Sequence, residues 1–359
     1  METSTAPLDE PAGLTDADGF TPLRVKDVIR ETTDAVSLIL DVPELIEDRF
    51  RYTAGQFVTV KTTIHGEEHR RCYSMSSSPH VGPDLRITVK RDRDGVVSNW
   101  INDTAAAGDR LLTAPPDGRF VLTTADRAVV TFAGGSGVTP VFSLVNTTLA
   151  TTGRQVRMFY ANRDADSVIF RDALTRLTDS HRDRLHVHHH LDTRDGVVSA
   201  GHITEFLGAA LRSVSEAEFY VCGPAPFMDT VERVLLDAGV PAQRVHLERF
   251  TVTPADPAVE AAVEAESAAT EKVTIVLGRT TVTQPYRAGT TLLQTARLAG
   301  LKAPSSCEVG TCGTCIGQVV EGSARLLNND ALDDDEIAEG WVVTCQALPT
   351  SRTVKVVYE

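Results

Sequence analysis

The amino-acid sequence predicts a multidomain α+β protein in which three different structural units follow one another. The chain has 359 residues, more than one typical domain, so two or three domains are expected. The first part contains short alternating segments, and the middle alternates apolar runs with helical stretches. The last part carries a close group of cysteines. These patterns predict an antiparallel β-barrel, an α/β unit with a parallel sheet, and a cysteine-bearing C-terminal unit.

Composition and charge exclude several classes of function. Hydrophobic residues make up 42% of the chain and charged residues 23%, as in ordinary globular proteins. Of the net charge of −14, five acids lie in residues 1–20 and four in residues 251–270, two stretches without Lys or Arg. The remainder is only mildly acidic, so neither nucleic acid nor a membrane surface is an expected partner. Because no apolar run approaches a membrane span and no secretory signal is visible, a cytoplasmic protein with reduced cysteines is expected.

The same patterns set the expected domain boundaries, which run in order along the chain. The expected segments are a disordered acidic tail at 1–20, the barrel at 21–124, the α/β unit at 125–250, a flexible linker at 251–270 and the C-terminal unit at 271–359.

Alternation and turn residues predict the individual elements. The barrel strands are expected at 23–29, 36–42, 55–62, 72–77, 85–90 and 110–114. The parallel strands are expected at 128–133, 156–160, 185–189 and 218–221, with helices near 140–150, 168–178, 202–213 and 225–238. In the last unit we expect a hairpin at 273–277 and 281–284, a helix capped by Thr291 and ended by Gly300, and a strand at 353–358.

The most specific pattern is a set of four cysteines, Cys307, Cys312, Cys315 and Cys345. Spacing of C-x4-C-x2-C with a distant fourth cysteine is the ligand pattern of plant-type [2Fe–2S] proteins. Gly310 and Gly313 allow the loop to curl, so that its backbone N–H groups can point at the sulfurs. A structural zinc site and four unrelated cysteines are the alternatives. Four of only six cysteines fit one template, which favours the iron–sulfur cluster.

Two motifs in the barrel suggest a flavin nucleotide. Arg71 could bind phosphate oxygens, the ring of Tyr73 could lie on the isoalloxazine, and Ser74 could hydrogen-bond near N5. A solvated charge beside a half-buried ring is the plainer interpretation. Further along, Ser98 is expected to cap a helix whose N-terminus would face a phosphate, with a simple capped helix as the alternative.

Two glycine-containing turns at strand ends suggest a nicotinamide nucleotide site. The first is Gly134-Gly135-Ser136-Gly137-Val138-Thr139-Pro140, which follows an apolar strand and opens a helix. It is neither a Walker loop nor G-x-G-x-x-G, so a turn without ligand is the alternative. The second is Cys222-Gly223-Pro224, at the end of the last parallel strand, where open sheets bind ligands. A small buried residue is the other interpretation of Cys222.

Two further groups are assigned structural roles. Of three successive histidines, only His188 and His190 could converge on one strand face, and no other ligand is placed to complete a metal site. The acidic stretch at 333–336 is interpreted as a solvated helix start, with a docking surface as the alternative.

The order of these motifs resembles the ferredoxin–NADP reductase superfamily fused to a C-terminal plant-type ferredoxin, over residues 21–359. The stretches RCYSMSSSP, VKRDRDGVVSNW, YANRDADSVIF and CGPAPFM are similar to the reductase components of 3-ketosteroid 9α-hydroxylases. Phenylacetyl-CoA epoxidase reductases share the architecture. The resemblance implies a flavin-binding barrel, an NAD(P)-binding α/β domain and a β-grasp ferredoxin.

The resemblance also implies roles for individual residues. The flavin would be bound by Arg71, Tyr73, Ser74, Ser98 and Phe250. The nicotinamide nucleotide would be bound by Gly134, Gly135, Gly137, Thr139, Cys222 and Gly223. The residues nearest the reaction would be Ser74, Thr139 and Cys222. Iron would be ligated by Cys307, Cys312, Cys315 and Cys345.

The implied activity is electron transfer from NADH through FAD and a [2Fe–2S] cluster to a Rieske-type oxygenase. NADPH is the second candidate coenzyme, because Arg163 is placed where a 2′-phosphate could be met. A di-iron hydroxylase or epoxidase, an acyl desaturase and a cytochrome P450 are alternative acceptors. A redox-sensing or electron-carrying module without NAD(P)H turnover is the alternative of a different class. Glu308 replaces a basic residue of many relatives, so it is expected to lower the cluster's potential and to alter the partner surface.

Overall fold

Three β-sheets, each with its own hydrophobic core, make up most of the chain. The computed structural model describes residues 15–16, 19–93, 95–210, 217–250, 267, 269–308, 310–329 and 331–358. Within these residues, no helix is long and apolar enough to cross a membrane.

The first sheet has six antiparallel strands and one helix, as the alternating segments predict. The strands are β1 (Thr21–Thr32), β2 (Ala35–Asp41), β3 (Phe57–Ile64), β4 (Glu67–Ser74), β5 (Leu85–Lys90) and β6 (Arg110–Thr113), and helix α1 is Val96–Thr104. Their order is β4-β3-β6-β1-β2-β5, and a bridge between Met75 and Ile87 joins the two outer strands. The sheet therefore closes on a core that includes Leu23, Val58 and Ile87.

Strand β4 is the one barrel strand predicted in the wrong place. It spans Glu67–Ser74 and pairs with β3 from Glu67 to Ser74, whereas residues 72–77 were expected. Its first half, EEHR, has no apolar residue to show a period of two. A polar strand can form here because it pairs with β3, while its side chains reach solvent or another domain.

The second sheet is parallel, with helices on both faces, as predicted. Its strands are β7 (Ala128–Gly134), β8 (Val156–Asn162), β9 (Leu185–Leu191), β10 (Ala217–Cys222) and β11 (Val245–Glu248). Its helices are α2 (Val138–Thr151), α3 (Arg171–Ser180), α4 (Asp192–Asp195), α5 (Ala200–Ala210) and α6 (Ala225–Asp237). The order β11-β10-β7-β8-β9 includes one strand, β11, that was not predicted, because Val245–Glu248 is short and only half-buried.

The third sheet is mixed and follows the order β13-β12-β18-β14-β16. Its strands are β12 (Lys272–Leu277), β13 (Thr280–Pro285), β14 (Ile316–Glu321), β16 (Trp341–Val343) and β18 (Thr353–Tyr358). Strands β15 (Ala324–Leu326) and β17 (Ala347–Pro349) form a separate pair, and the helices are α7 (Leu292–Leu298) and α8 (Asp334–Ala338). The predicted hairpin and last strand are confirmed, as is the capping box of Thr291 with Gln294 on α7.

The ends of the predicted tail and linker are ordered. Phe20 is 1% exposed, its N–H donates to Asp16 Oδ1 at 2.9 Å, and Asp16 pairs with Lys61 of β3. Thr270 donates to the carbonyl of Ser351 at 2.8 Å. Residues 1–14, 17–18, 251–266 and 268, and with them most of the predicted tail and linker, lie outside the described residues. The bounds of the five predicted segments stay predictions.

The histidines and the acidic stretch have the expected structural roles. His188 and His190 both stack on Phe159, whereas His189 lies beside Tyr160 on the opposite face of β9. Asp333 caps α8, as a solvated helix start should. Glu336 of that helix also pairs with Arg119 of the first unit at 3.1 Å, so the same stretch makes a contact between domains.

Candidate functional site

Ser74 ends β4 with a buried hydroxyl that has no hydrogen-bond partner in the described part of the chain. Nearby, Arg71 is exposed and donates to the carbonyl of Arg70 at 2.8 Å. Tyr73 packs against the barrel core, and this burial raises the pKa of its phenol. A buried hydroxyl left without a partner costs about 1–3 kcal/mol, so Ser74 fits a ligand that hydrogen-bonds there. The three residues are compatible with the predicted flavin nucleotide.

Ser98 does not cap a helix, so this expectation is wrong. Helix α1 begins at Val96 with Gly95 as its N-cap. Ser98 lies inside the first turn, where its hydroxyl accepts from the N–H of Asp92 at 3.1 Å and donates to the carbonyl of Gly95 at 3.3 Å. The hydroxyl therefore braces the loop before the helix. A role of Ser98 toward pyrophosphate stays a prediction.

The two glycine turns meet at the switch point of the parallel sheet. Strands β7 and β10 are neighbours, and the chain leaves them toward opposite edges, which is where open α/β sheets bind ligands. A Cβ on Gly137 would lie 2.1 Å from the carbonyl oxygen of Cys222, and one on Gly223 would lie 3.0 Å from the Cα of Gly134. Only glycine permits so close an approach of the two backbones.

Gly135 differs from the other glycines of this turn. Its φ is +53°, and a Cβ there would meet only the Lys90 ammonium, at 3.6 Å. Three of the glycines thus hold the turns together, whereas Gly135 faces open space near a positive charge. This arrangement suits the phosphates of a dinucleotide.

Thr139 and Cys222 are both buried at this junction. The Thr139 hydroxyl donates to the carbonyl of Ser136 at 3.0 Å, so it fixes the turn before α2. Cys222 is fully buried, and burial raises the pKa of its thiol. The thiol is therefore neutral near neutral pH, as expected of a group that packs against a ligand and does not attack it.

Glu248 is a candidate residue that sequence reasoning missed. It ends β11 opposite Cys222 in the ladder, and burial raises the pKa of its carboxyl to about 8. Phe250, two residues later, is 36% exposed, so its ring is accessible to a ligand. The sequence contains one signal for Glu248: in HLERF it lies two residues before Phe250, which was already a predicted site residue.

The raised pKa of Glu248 makes stability depend on pH. A carboxyl with a folded pKa of about 8 favours folding while protonated, and this stability falls as pH rises from about 4.5 through 8. Each pH unit in that window costs up to about 1.4 kcal/mol. We expect Glu248→Gln to remove the slope, measured as the melting temperature between pH 5 and 9. Glu205→Gln, at an exposed site on α5, should melt in parallel with the unmodified protein; a Glu248→Gln curve that also stays parallel would contradict the assignment.

The four predicted cluster cysteines form two pairs. Hydrogen bonds join the thiols of Cys312 and Cys307 and those of Cys345 and Cys315, and they raise the pKa values of Cys312 and Cys345. As far as the described residues show, the four thiols do not converge on a single metal-binding point. Two thiol pairs fit two irons with two thiolates each, whereas a structural zinc would need all four at one point. Gly310 and Gly313, with φ of +88° and +72°, make the expected tight loop.

A fifth cysteine, Cys72 of β4, lies against this loop. Its thiol contacts those of Cys307 and Cys312, and these hydrogen bonds, with burial, raise its pKa. Beside it, a cavity of about 160 Å³ is lined by residues 118–120 of the barrel, residues 246–248 of β11 and residues 311–313 of the cluster loop. The flavin motif, the end of the parallel sheet and the cluster loop therefore meet in one place.

Comparison with known proteins agrees with this division. The family models for an oxidoreductase FAD-binding domain, an oxidoreductase NAD-binding domain and a 2Fe-2S iron-sulfur cluster binding domain match residues 22–122, 132–233 and 275–350, respectively. The ferredoxin reductase component of 3-ketosteroid-9-alpha-monooxygenase from Mycobacterium tuberculosis is 38% identical over 98% of both chains. A component of 1,2-phenylacetyl-CoA epoxidase from Escherichia coli is 34% identical over 95% of this chain and 98% of that protein.

Solved structures show the same architecture. Phthalate dioxygenase reductase is 27% identical, with a TM-score of 0.59 over 95% of this chain and 98% of its own. Full-length CYP116B46 from Tepidiphilus thermophilus is 26% identical, with a TM-score of 0.69 over 97% of this chain, which spans 44% of that longer protein.

By these matches the chain is an oxidoreductase with FAD-binding, NAD-binding and 2Fe-2S domains. It belongs to the family of ferredoxin reductase components of oxygenase systems, which includes the mycobacterial 3-ketosteroid-9-alpha-monooxygenase reductase.

Proposed function

We propose that the protein passes electrons from NADH through FAD and a [2Fe–2S] cluster to a terminal oxygenase. The observation that carries this proposal is the packing of the cluster loop against the strand of the flavin motif: Arg70 of β4 pairs with Glu308 at 2.9 Å, and Cys72 of the same strand lies against Cys307 and Cys312. When bound, FAD and the cluster convert one hydride into two single-electron transfers. The chain's own contribution is to bind these groups, orient them and keep the distances between them short.

The barrel residues bind and orient the flavin. In this proposal Arg71 would bind phosphate, Tyr73 and Phe250 would pack against the ring, and the unpartnered Ser74 hydroxyl would hydrogen-bond to the flavin near N5. Ser98 would act through its bonds to Asp92 and Gly95, which fix the start of helix α1 toward the pyrophosphate. The rings of Tyr73 and Phe250 would shield the flavin faces from water, and Phe250, which is 36% exposed, would have to leave its face for the nicotinamide to approach.

The two turns orient the nicotinamide nucleotide. Gly135 provides the open approach for phosphate, Gly134, Gly137 and Gly223 keep the turns packed, and Thr139 fixes the first helical turn. Cys222 offers a neutral, buried surface beside the nicotinamide. Cys307, Cys312, Cys315 and Cys345 then ligate the two irons.

A Rieske-type oxygenase, such as one acting on 3-ketosteroids, is the acceptor we propose. The support is identity of 37–38% over nearly the whole chain to reductases of that system from three actinobacterial sources. A cytochrome P450 is the second candidate, because the whole chain resembles part of CYP116B46. All six cysteines are free, which suits the reducing cytoplasm where we place the protein.

Reconstitution tests the acceptor directly. The purified reductase is mixed with a steroid-hydroxylating Rieske oxygenase, a di-iron epoxidase or a P450, and product formed per NADH is measured. We expect tight coupling with the Rieske component alone. Coupling with the P450 would support the second candidate, and failure to oxidise NADH even with ferricyanide would support a carrier module without turnover.

The coenzyme preference follows from the charge beside Arg163. Its guanidinium binds Asp164 at 2.9 Å, and Asp164 also caps the turn at Ala165–Ser167. This carboxylate would repel a 2′-phosphate, so NADH is favoured. We expect Asp164→Asn, which can still cap the turn, to raise kcat/KM for NADPH about tenfold. Asp166→Asn, at a 97% exposed side chain nearby, is the control; an unchanged NADPH efficiency in Asp164→Asn would place discrimination elsewhere.

A further inference from the structure

Glu308 joins the cluster loop to the barrel. Its Oε1 accepts from Arg70 Nη1 of β4 at 2.9 Å and from Arg297 Nη2 of α7 at 2.6 Å. Its Oε2 accepts from Arg297 Nη1 at 3.1 Å, and its carbonyl accepts from Gln346 at 3.0 Å. One carboxylate thus connects a guanidinium of the barrel with a guanidinium of the ferredoxin domain. The Arg70 side chain is only 12% exposed, so solvent screens this contact less than it would a surface pair.

Each residue of the ion pair lies close in sequence to a cysteine at the contact between the two domains. Glu308 directly follows Cys307, and Arg70 precedes Cys72 by two residues, so Arg70 and Cys72 lie on the same face of β4. The ion pair and the contact of Cys72 with Cys307 therefore lie side by side. The ion pair fixes the distance between Cys307 and β4, the strand that carries the flavin motif (below, the flavin strand).

The backbone at Glu308 has a strained conformation, which its side-chain and carbonyl hydrogen bonds maintain. Its φ is +59°, the left-handed region that side chains other than glycine and asparagine rarely occupy. The two arginines and Gln346 hold the residue in this conformation. A glycine would adopt it without strain but would lack the carboxylate. Backbone strain and the interdomain bond can therefore be separated by mutation.

Three further contacts across this interface are also polar. Thr59 bonds Ser306, Thr314 donates to Asp117 at 2.5 Å, and Arg119 pairs with Glu336 at 3.1 Å. In the described residues, the core of the third sheet contains only residues 273–358. By contrast, the core of the α/β domain includes Phe120 of the barrel region. The ferredoxin domain is thus docked by ion pairs and hydroxyl bonds, which are individually weak.

We propose that Glu308 is a positioning residue, which docks the cluster loop on the flavin strand for internal electron transfer through its bond to Arg70. The inference rests on the proposed function for its redox step, but docking itself is independent of it. The expectation that Glu308 lowers the cluster's potential stays a prediction, and the two arginines that pair with the carboxylate oppose that effect.

The test compares Glu308→Gln, Glu308→Gly and Glu271→Gln. Glu271 pairs with Arg352 at an exposed place on the ferredoxin domain, so its variant makes the same chemical change away from the interface. Stopped-flow absorbance follows flavin reduction by NADH and then cluster reduction. Hydrogen–deuterium exchange of residues 57–74 and 305–316 measures docking without any turnover.

We expect flavin reduction by NADH to be unchanged in all three variants. Cluster reduction should slow about fivefold in Glu308→Gln and Glu308→Gly at low salt, and exchange in both segments should rise. High salt should slow the unmodified protein more than these two variants, which keep, among the described residues, only the exposed pair of Arg119 with Glu336 as an ion pair across the interface. Glu308→Gly relieves the backbone strain. If its cluster reduction slows while its melting temperature is unchanged, Glu308 acts by positioning the cluster loop and not by stabilising the fold.

The double variant Arg70→Ala/Glu308→Ala completes a cycle with its two single variants. If the two residues act through their bond, the double variant should lose little more than either single one. Cluster reduction and exchange at the level of the unmodified protein in Glu308→Gln, or equal losses in Glu271→Gln, would overturn the proposal. Absence of flavin reduction by NADH in the unmodified protein would instead contradict the proposed function.

Discussion

Replacing Cys345 with serine is expected to remove the iron–sulfur cluster while leaving the flavin bound and reducible. Cys345 is paired with Cys315 and lies in the core of the third sheet, remote in sequence from the other three predicted ligands. Without its thiolate one iron lacks a ligand, so we expect iron content to fall from about two per chain to nearly none. Transfer to an oxygenase should be lost, and NADH oxidation with ferricyanide should persist. Iron analysis and visible absorbance measure both effects.

Cys72 provides a matched control, because it lies against the same loop without being a predicted ligand. Cys72→Ser should retain about two irons per chain. Full iron content in Cys345→Ser, or loss of iron in Cys72→Ser equal to that in Cys345→Ser, would contradict the assignment of the four ligands.

Replacing Gly137 with alanine is expected to abolish most NADH-dependent flavin reduction. The added Cβ would lie 2.1 Å from the Cys222 carbonyl oxygen and 2.7 Å from the Gly223 nitrogen, both backbone atoms that cannot turn aside. The two turns must separate, which displaces the nicotinamide from the flavin. A displacement of about 1 Å costs about 100-fold in rate, so stopped-flow reduction should slow at least that much.

Gly153→Ala is the control for this change, since a Cβ there has no atom within 4 Å. NADH should reduce the flavin of Gly153→Ala at the rate of the unmodified protein. Reduction of Gly137→Ala by dithionite should be normal, which would show that flavin is present. Rapid reduction of Gly137→Ala by NADH would show that the close packing of these turns is not what orients the nucleotide.

The sequence predicted the elements whose periodicity is strong and missed those decided by tertiary contacts. Strand β5 (Leu85–Lys90) alternates regularly, and Thr353–Tyr358 is rich in β-branched residues, so both were predicted with the observed bounds. The first half of β4 is fully polar, and its place is decided by β3 and the ferredoxin domain. No local pattern carries that information.

The candidate site shows the same division. Cysteine spacing and glycine turns are local signals, and both pointed to the groups that the structure brings together. The role of Glu248 depends on burial at the end of a short strand, and that of Glu308 on Arg70, which is 238 residues away in the sequence. Ser98 was assigned as a cap because serine favours that position, but Gly95 occupies it. Long-range contacts decide the cases of Glu248 and Glu308, whereas Ser98 is fixed by its bonds to Asp92 and Gly95 nearby in the sequence.

An anaerobic titration with NADH, followed by visible absorbance and EPR, tests the central claim most directly. The claim is that nicotinamide, flavin and cluster sites form one internal path. We predict that NADH bleaches the flavin bands and that a rhombic signal of a reduced [2Fe–2S] cluster develops in the same titration. Bleaching of the flavin with a cluster that stays oxidised would contradict the internal transfer step, and the ferredoxin domain would then need another electron donor.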